Sequence, residues 1–100
     1  MSDGPGSAPH TETGLPQIDF STFILSLSTS ALFHLGLVDD PQGGGRAEPD
    51  LALASQTIDT LAVLQEKTRG NLDDEEARLL ESLLYELRMR FVEVRQSPSD

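Results

Sequence analysis

Residues 20–38 contain no Asp, Glu, Lys or Arg, although the whole chain carries a formal net charge of −10. The run reads FSTFILSLSTSALFHLGLV and lies between Asp19 and the acidic pair at 39–40. A segment this apolar differs from the usual surface helix of a small monomer, which has one apolar face and one polar face. It must pack against other helices, bind a partner or enter a membrane.

The composition limits the size of the folded unit. A chain of 100 residues accommodates one domain. Residues 1–14 are rich in Gly, Pro, Ser and Thr and bury little apolar surface, so we expect a disordered tail there and a second one at 96–100. The helical domain then spans 15–95, a size at which domains often depend on a partner subunit. Because the chain has no cysteine, disulfides and thiolate metal sites are excluded.

The charge balance narrows the range of partners. The chain has seventeen acidic and seven basic residues, so electrostatic repulsion from phosphate groups opposes nucleic-acid binding. The first residues also lack the basic stretch and early apolar stretch of a signal peptide. We therefore expect a cytoplasmic protein that does not bind nucleic acid.

The uncharged run predicts a first helix over about 20–35. Asp19 is a suitable N-cap residue because its carboxylate can accept a backbone N–H of the first turn. Gly36 is suited to the position after the helix, where a left-handed conformation is common. Apolar side chains cover nearly the whole circumference, with Ser and Thr between them.

Two further helices follow a glycine-rich loop. We predict a flexible loop over 39–49, a second helix over about 51–69 and a third over about 74–95. The third begins with a capping-box pattern formed by Asp73 and Glu76. The short turn between these two helices predicts an antiparallel hairpin.

The predicted fold is therefore all-α, with the first helix packed on the hairpin. A hairpin covers only part of a helix that is apolar on all sides, so an exposed apolar patch would remain. We expect a homo-oligomeric helical bundle, most simply a two-fold dimer. The predicted oligomer or partner interface consists of Phe20, Phe23, Ile24, Leu27, Ala31, Leu32, Phe33 and His34.

No pattern in the sequence indicates catalysis, a metal or a cofactor. His34 has no acid or second histidine one helical turn away, which a metal ligand or catalytic base would need. The acidic residues 73–76 lack the ligand spacing of a calcium loop and suit a helix N-terminus. The glycines at 43–45 lack the lysine and the preceding strand of a phosphate-binding loop. We expect no catalytic, metal or cofactor-binding residues, and not an enzyme.

Four segments resemble a known family. They are IDFSTF at 18–23, QTID at 56–59, KTRGNL at 67–72 and LLYELRM at 83–89. Together with the pattern around them, over about 15–93, they resemble a bacterial family catalogued as domain of unknown function 1844. The resemblance implies a short bacterial protein without an assigned activity or assigned functional residues.

Two functional hypotheses remain open. The first is a non-enzymatic protein-interaction module, an adaptor or chaperone-like protein that acts through an apolar helix or an oligomeric bundle and has itself as one partner. The alternative is a peripheral membrane protein, or an accessory to a membrane complex, that docks through 20–38. The hydroxyl residues in that run and the lack of flanking Lys or Arg argue against a membrane span.

Overall fold

The computed structural model describes residues 18–97 and shows three α-helices without a strand in that range. They are α1 at Phe20–His34, α2 at Leu51–Lys67 and α3 at Asp74–Gln96. The prediction of an all-α chain with three helices is confirmed. Two helices end slightly before the predicted residue, and α3 extends to Gln96, which had been assigned to the C-terminal tail. The predicted tail at 1–14 and residues 98–100 lie outside the described range.

The ends of α1 follow from its flanking residues. The Asp19 carboxylate accepts the Thr22 backbone N–H at 2.8 Å, as an N-cap does. At the other end, Gly36 adopts a positive φ of 79°. The Leu37 N–H then donates to the Leu32 carbonyl at 3.0 Å, which is the outer bond of a Schellman motif. A glycine is needed here because side chains disfavour this backbone conformation.

α2 ends two residues before the predicted position because the chain tightens into a turn. The Thr68 hydroxyl donates to the Leu64 carbonyl at 2.6 Å. The Asn71 N–H donates to the Thr68 carbonyl at 2.8 Å, and Gly70 lies within this turn at a φ of 88°. A β-turn with glycine at its third position therefore replaces the last predicted turn of α2.

α3 begins with the predicted capping box. The Asp73 carboxylate accepts the Glu76 backbone N–H at 2.8 Å, and the Glu76 carboxylate accepts the Asp73 N–H at 3.0 Å. Each acid thus satisfies a backbone donor that the helix itself leaves without a partner. This confirms that two of the four acids at 73–76 serve the helix N-terminus.

The core lies between the three helices, and each helix contacts the other two. Apolar side chains at three- and four-residue spacing form it, so each helix contributes a single buried stripe. Fully burying a leucine stabilises the fold by about 1.5–3 kcal/mol. Two of the buried residues, one on α1 and one on α2, are alanines. The buried apolar residues are Ile24, Ala31, Leu35, Ala54, Ile58, Leu61, Leu80, Leu84 and Leu87.

A backbone hydrogen bond connects the two ends of the segment between α1 and α2. The Asp50 N–H donates to the His34 carbonyl at 2.7 Å, which joins the start of α2 to the end of α1. Within the loop, the Asp40 N–H donates to the Gly45 carbonyl at 2.8 Å, and the Asp40 carboxylate accepts the Gln42 N–H at 2.8 Å. These bonds fold the glycine-rich part into a closed turn, and its flexibility stays a prediction.

Candidate functional site

Most of the predicted interface on α1 lies inside the bundle. Ile24 and Ala31 have no exposed surface. Phe20, Leu27 and Leu32 are partly buried and pack against the core. While the bundle is closed, these five side chains have little or no surface to offer to a second molecule.

The other three predicted interface residues lie nearer to solvent. Phe33 and His34 are half-buried, and their ring centroids are 5.6 Å apart. Phe23 is 42% exposed, and Leu25, outside the predicted set, is 45% exposed. These two lie on different sides of α1, because two residues along a helix correspond to a rotation of about 200°. α1 therefore offers separate apolar side chains to solvent.

None of the three helices in the described range has the length and apolar character that crossing a membrane requires.

An open groove lies on α2 and α3, and we call it the α2–α3 groove. It consists of two depressions that share Arg88 and Val92 and are lined by residues between 55 and 65 of α2 and between 78 and 93 of α3. Ser55 and Asp59, from the first half of α2, line the same depression as Arg88 and Val92. The start of α2 is thus close to the second half of α3.

Three exposed apolar side chains of α3 line this groove at helical spacing. Tyr85 is 67% exposed, and Met89 and Val92 are each 39% exposed. The nearly buried Ile58 and Leu84 also border the groove. The groove therefore places an exposed apolar stripe next to the edge of the core.

On spacing alone, Tyr85, Met89 and Val92 would widen the buried apolar stripe of α3. A signal against that interpretation was present, because adjacent residues of an α-helix point about 100° apart. Leu84 is a central member of the buried stripe, so Tyr85 next to it has to face away from the middle of the core. The spacing alone does not show whether a second molecule or water covers Tyr85, Met89 and Val92.

The rim of the groove carries charges of both signs. Arg90 binds Glu86 at 2.8 Å and Glu93 at 3.0 Å. The hydrogen bond that Arg90 donates to Glu93 and the nearby charge of Glu86 raise the pKa of Arg90 above its ordinary value. This exposed network lies along α3, and its two glutamates also line the groove.

Four other charged residues of the groove have no such pairing. Within residues 18–97, the Asp39–Arg46 and Glu66–Arg69 pairs and the network around Arg90 account for the ion pairs. Along this part of the chain, the charged groove residues outside these pairs are Asp59, Arg78, Glu81 and Arg88. Their charged groups are free, in this range, to contact a bound molecule.

The groove combines an exposed apolar stripe with charged residues at its rim. Its apolar stripe and charged rim match the usual anatomy of a protein-binding site. Over the described range, no group of three or more His, Cys, Asp or Glu side chains is placed to hold a metal ion. His34 lies on α1 and is not among the residues that line the groove.

Comparison with known proteins identifies the family. A family model described as Domain of unknown function (DUF1844) matches residues 17–93. The chain belongs to this family, which confirms the resemblance carried by its four sequence segments. None of the curated proteins matches the chain. None of the solved structures matches it either.

Proposed function

We propose that this protein is a small non-enzymatic interaction module that binds another protein through the α2–α3 groove. The observation that carries the proposal is the exposed stripe of Tyr85, Met89 and Val92, which lines the groove beside a bundle core formed by other residues. Tyrosine and methionine are enriched at protein interfaces. An adaptor or a chaperone-like protein would use such a surface.

The arrangement of the helices supports a groove on one side of the bundle. We infer that α2 and α3 form an antiparallel hairpin, because Ser55 and Asp59 lie beside Arg88 and Val92. α1 contacts both helices of this hairpin, whereas the residues lining the groove come from α2 and α3. In this proposal α1 covers one face of the hairpin, and the opposite face is open to a partner.

The role of α1 in this proposal is mainly structural. Ile24 and Ala31 are fully buried within one chain, and their neighbours on the same stripe are partly so. Removing them from the bundle to contact a partner would expose the core to water. A surface that is already open costs less to use, so the groove is the better candidate for the binding site.

The test is site-specific photo-crosslinking of the full-length chain in its native host. A photoreactive phenylalanine derivative replaces Met89, which lines the groove, or Thr60, an exposed control position on α2 outside it. We expect crosslinked protein adducts at Met89 and none at Thr60. The absence of adducts at Met89, or the same adducts at both positions, would contradict the proposal.

A further inference from the structure

Four charged groove residues of α3 are arranged with opposite order on the two sides of Tyr85. Moving from Tyr85 toward the N-terminus, the charged groove residues are Glu81 and then Arg78. Toward the C-terminus they are Glu86, which binds Arg90 of its own helix, then Arg88 and then Glu93. With a rise of 1.5 Å per residue, Glu81 and Arg88 lie about 6 and 4.5 Å from Tyr85 along the helix axis. Arg78 and Glu93 lie about 10.5 and 12 Å away. Opposite charges thus occur at similar distances on either side.

This order is self-complementary. If a second α3 lies antiparallel against the first, with a two-fold axis at Tyr85, Glu81 faces Arg88 of the partner subunit and Arg88 faces Glu81 of the partner subunit. Arg78 in turn lies opposite Glu93 of the partner subunit. A parallel arrangement in the same register would place like charges together. We infer that the groove binds a second copy of this chain, an inference that rests on the proposed function of the groove as a binding surface.

The charge of the whole chain favours the same contact. Residues 78–93 contain three arginines and three glutamates, so this segment is neutral in a chain with a net charge of −10. Two copies repel each other wherever their acidic surfaces meet, but not along this segment. The segment is therefore a part of the surface through which two identical acidic chains can approach each other.

The exposed apolar residues of the groove are also compatible with a two-fold axis at Tyr85. Tyr85 lies at the axis and meets Tyr85 of the partner subunit, and exposed tyrosines are well suited to interface centres because they contribute large apolar area and a polar hydroxyl. Met89 lies opposite Ser82 of the partner subunit, a small residue that leaves space for it. Val92 lies opposite Arg78 of the partner subunit, whose methylene groups can cover an apolar side chain.

The experiment uses two charge reversals in the full-length chain, Glu81→Arg and Arg88→Glu, with mass measured by light scattering over a dilution series. The wild-type protein should form a dimer with twice the monomer mass of 10.9 kDa. Each single variant places like charges opposite each other at both symmetric contacts. We expect each like-charge contact to weaken association roughly tenfold, so the two contacts in a variant dimer together weaken it roughly 100-fold.

Mixing the two variants provides the decisive result. In a pair with one chain of each kind, both substituted positions face an unlike charge, so the mixture should form heterodimers with near wild-type affinity. Native mass spectrometry identifies such heterodimers directly. Circular dichroism checks that each variant keeps its helices. Glu48→Arg in the exposed loop is the matched control for Glu81→Arg, with the same change of net charge and no expected effect on association.

Three results would overturn this inference. They are a wild-type protein that remains monomeric throughout the dilution series, a dimer unaffected by both reversals, and a mixture of the two variants that stays monomeric. Adducts of Met89 with a different protein, together with a monomeric wild type, would overturn the second copy as occupant while supporting the groove as a binding surface. The absence of any adduct at Met89 would instead contradict the proposed function itself.

Discussion

Leu84 and Tyr85 are neighbours on α3 and provide a matched test of which residues belong to the core. Leu84 is 2% exposed, whereas Tyr85 is 67% exposed. Truncating a buried leucine to alanine costs about 2–5 kcal/mol, because apolar contacts are lost and a cavity remains. Truncating a surface residue usually changes stability by about 0.5 kcal/mol or less, and alanine is also the best helix former. Leu84→Ala should therefore destabilise the monomer strongly and Tyr85→Ala hardly at all.

The stability lost in Leu84→Ala is large relative to the total stability because the domain is small. A folded unit of roughly 80 residues has a free energy of unfolding of about 4–12 kcal/mol, so Leu84→Ala removes a large part of it. Urea unfolding followed by circular dichroism measures this change. With a slope of about 1 kcal/mol per molar urea, the midpoint should fall by at least about 2 M for Leu84→Ala. The midpoint for Tyr85→Ala should lie close to that of the wild type.

Unfolding measured at two protein concentrations distinguishes a core residue from an interface residue. The measurement is made in dilute solution, where any dimer has dissociated, and is repeated at high concentration, where association adds to the apparent stability. If Tyr85→Ala costs as much as Leu84→Ala in dilute solution, Tyr85 belongs to the core and the groove is not a free surface. A negligible effect of Leu84→Ala would show that the assignment of the core is wrong.

Three further predictions concern the ends of the helices. Gly36→Ala should destabilise the fold by about 1 kcal/mol or more, since the residue has a φ of 79° and an added Cβ would lie 3.1 Å from the Ala47 carbonyl oxygen; an unchanged urea midpoint would contradict this. Asp73→Ala removes the capping box and should cost about 1 kcal/mol, and an unchanged thermal midpoint would argue against a stabilising cap. The Thr22 backbone hydrogen bond lowers the pKa of the Asp19 carboxyl. The stability that this carboxylate adds is therefore present above its unfolded-state pKa and is lost as the pH falls through the lower folded-state pKa. The stabilities of wild type and Asp19→Asn should converge across that acidic window, and parallel pH profiles would refute the assignment.

Local sequence signals predicted the helices well because each signal acts within a few residues. Asp19 and the Asp73–Glu76 pair satisfy backbone donors in their own helix turns, and Gly36 ends α1 through its own backbone conformation. The end of α2 was less accurate, since Thr68 begins a turn whose hydrogen bonds compete with the helical ones.

The candidate site was harder to predict. Every side chain of a wide apolar stripe satisfies the same spacing, so the α3 pattern grouped the exposed Tyr85 with the buried Leu84. On α1, apolar residues on nearly all sides indicated a helix that needs covering, but the pattern does not specify which of them α2 and α3 cover. The predicted interface on α1 therefore included Ile24 and Ala31, which are fully buried inside the bundle.

The sequence by itself determined that the chain is helical, where its helices begin, and that α1 must be covered, because capping and amphipathic periodicity are short-range properties of the chain. The tertiary structure alone decided that the other two helices bury one stripe of α1, and that Tyr85, Met89 and Val92 stay exposed beside the core. The physical reason is that the burial of a side chain depends on how the three helices pack against one another. A helix can be covered by neighbours only on the sides that face them, so α3 keeps an exposed apolar side beside the core.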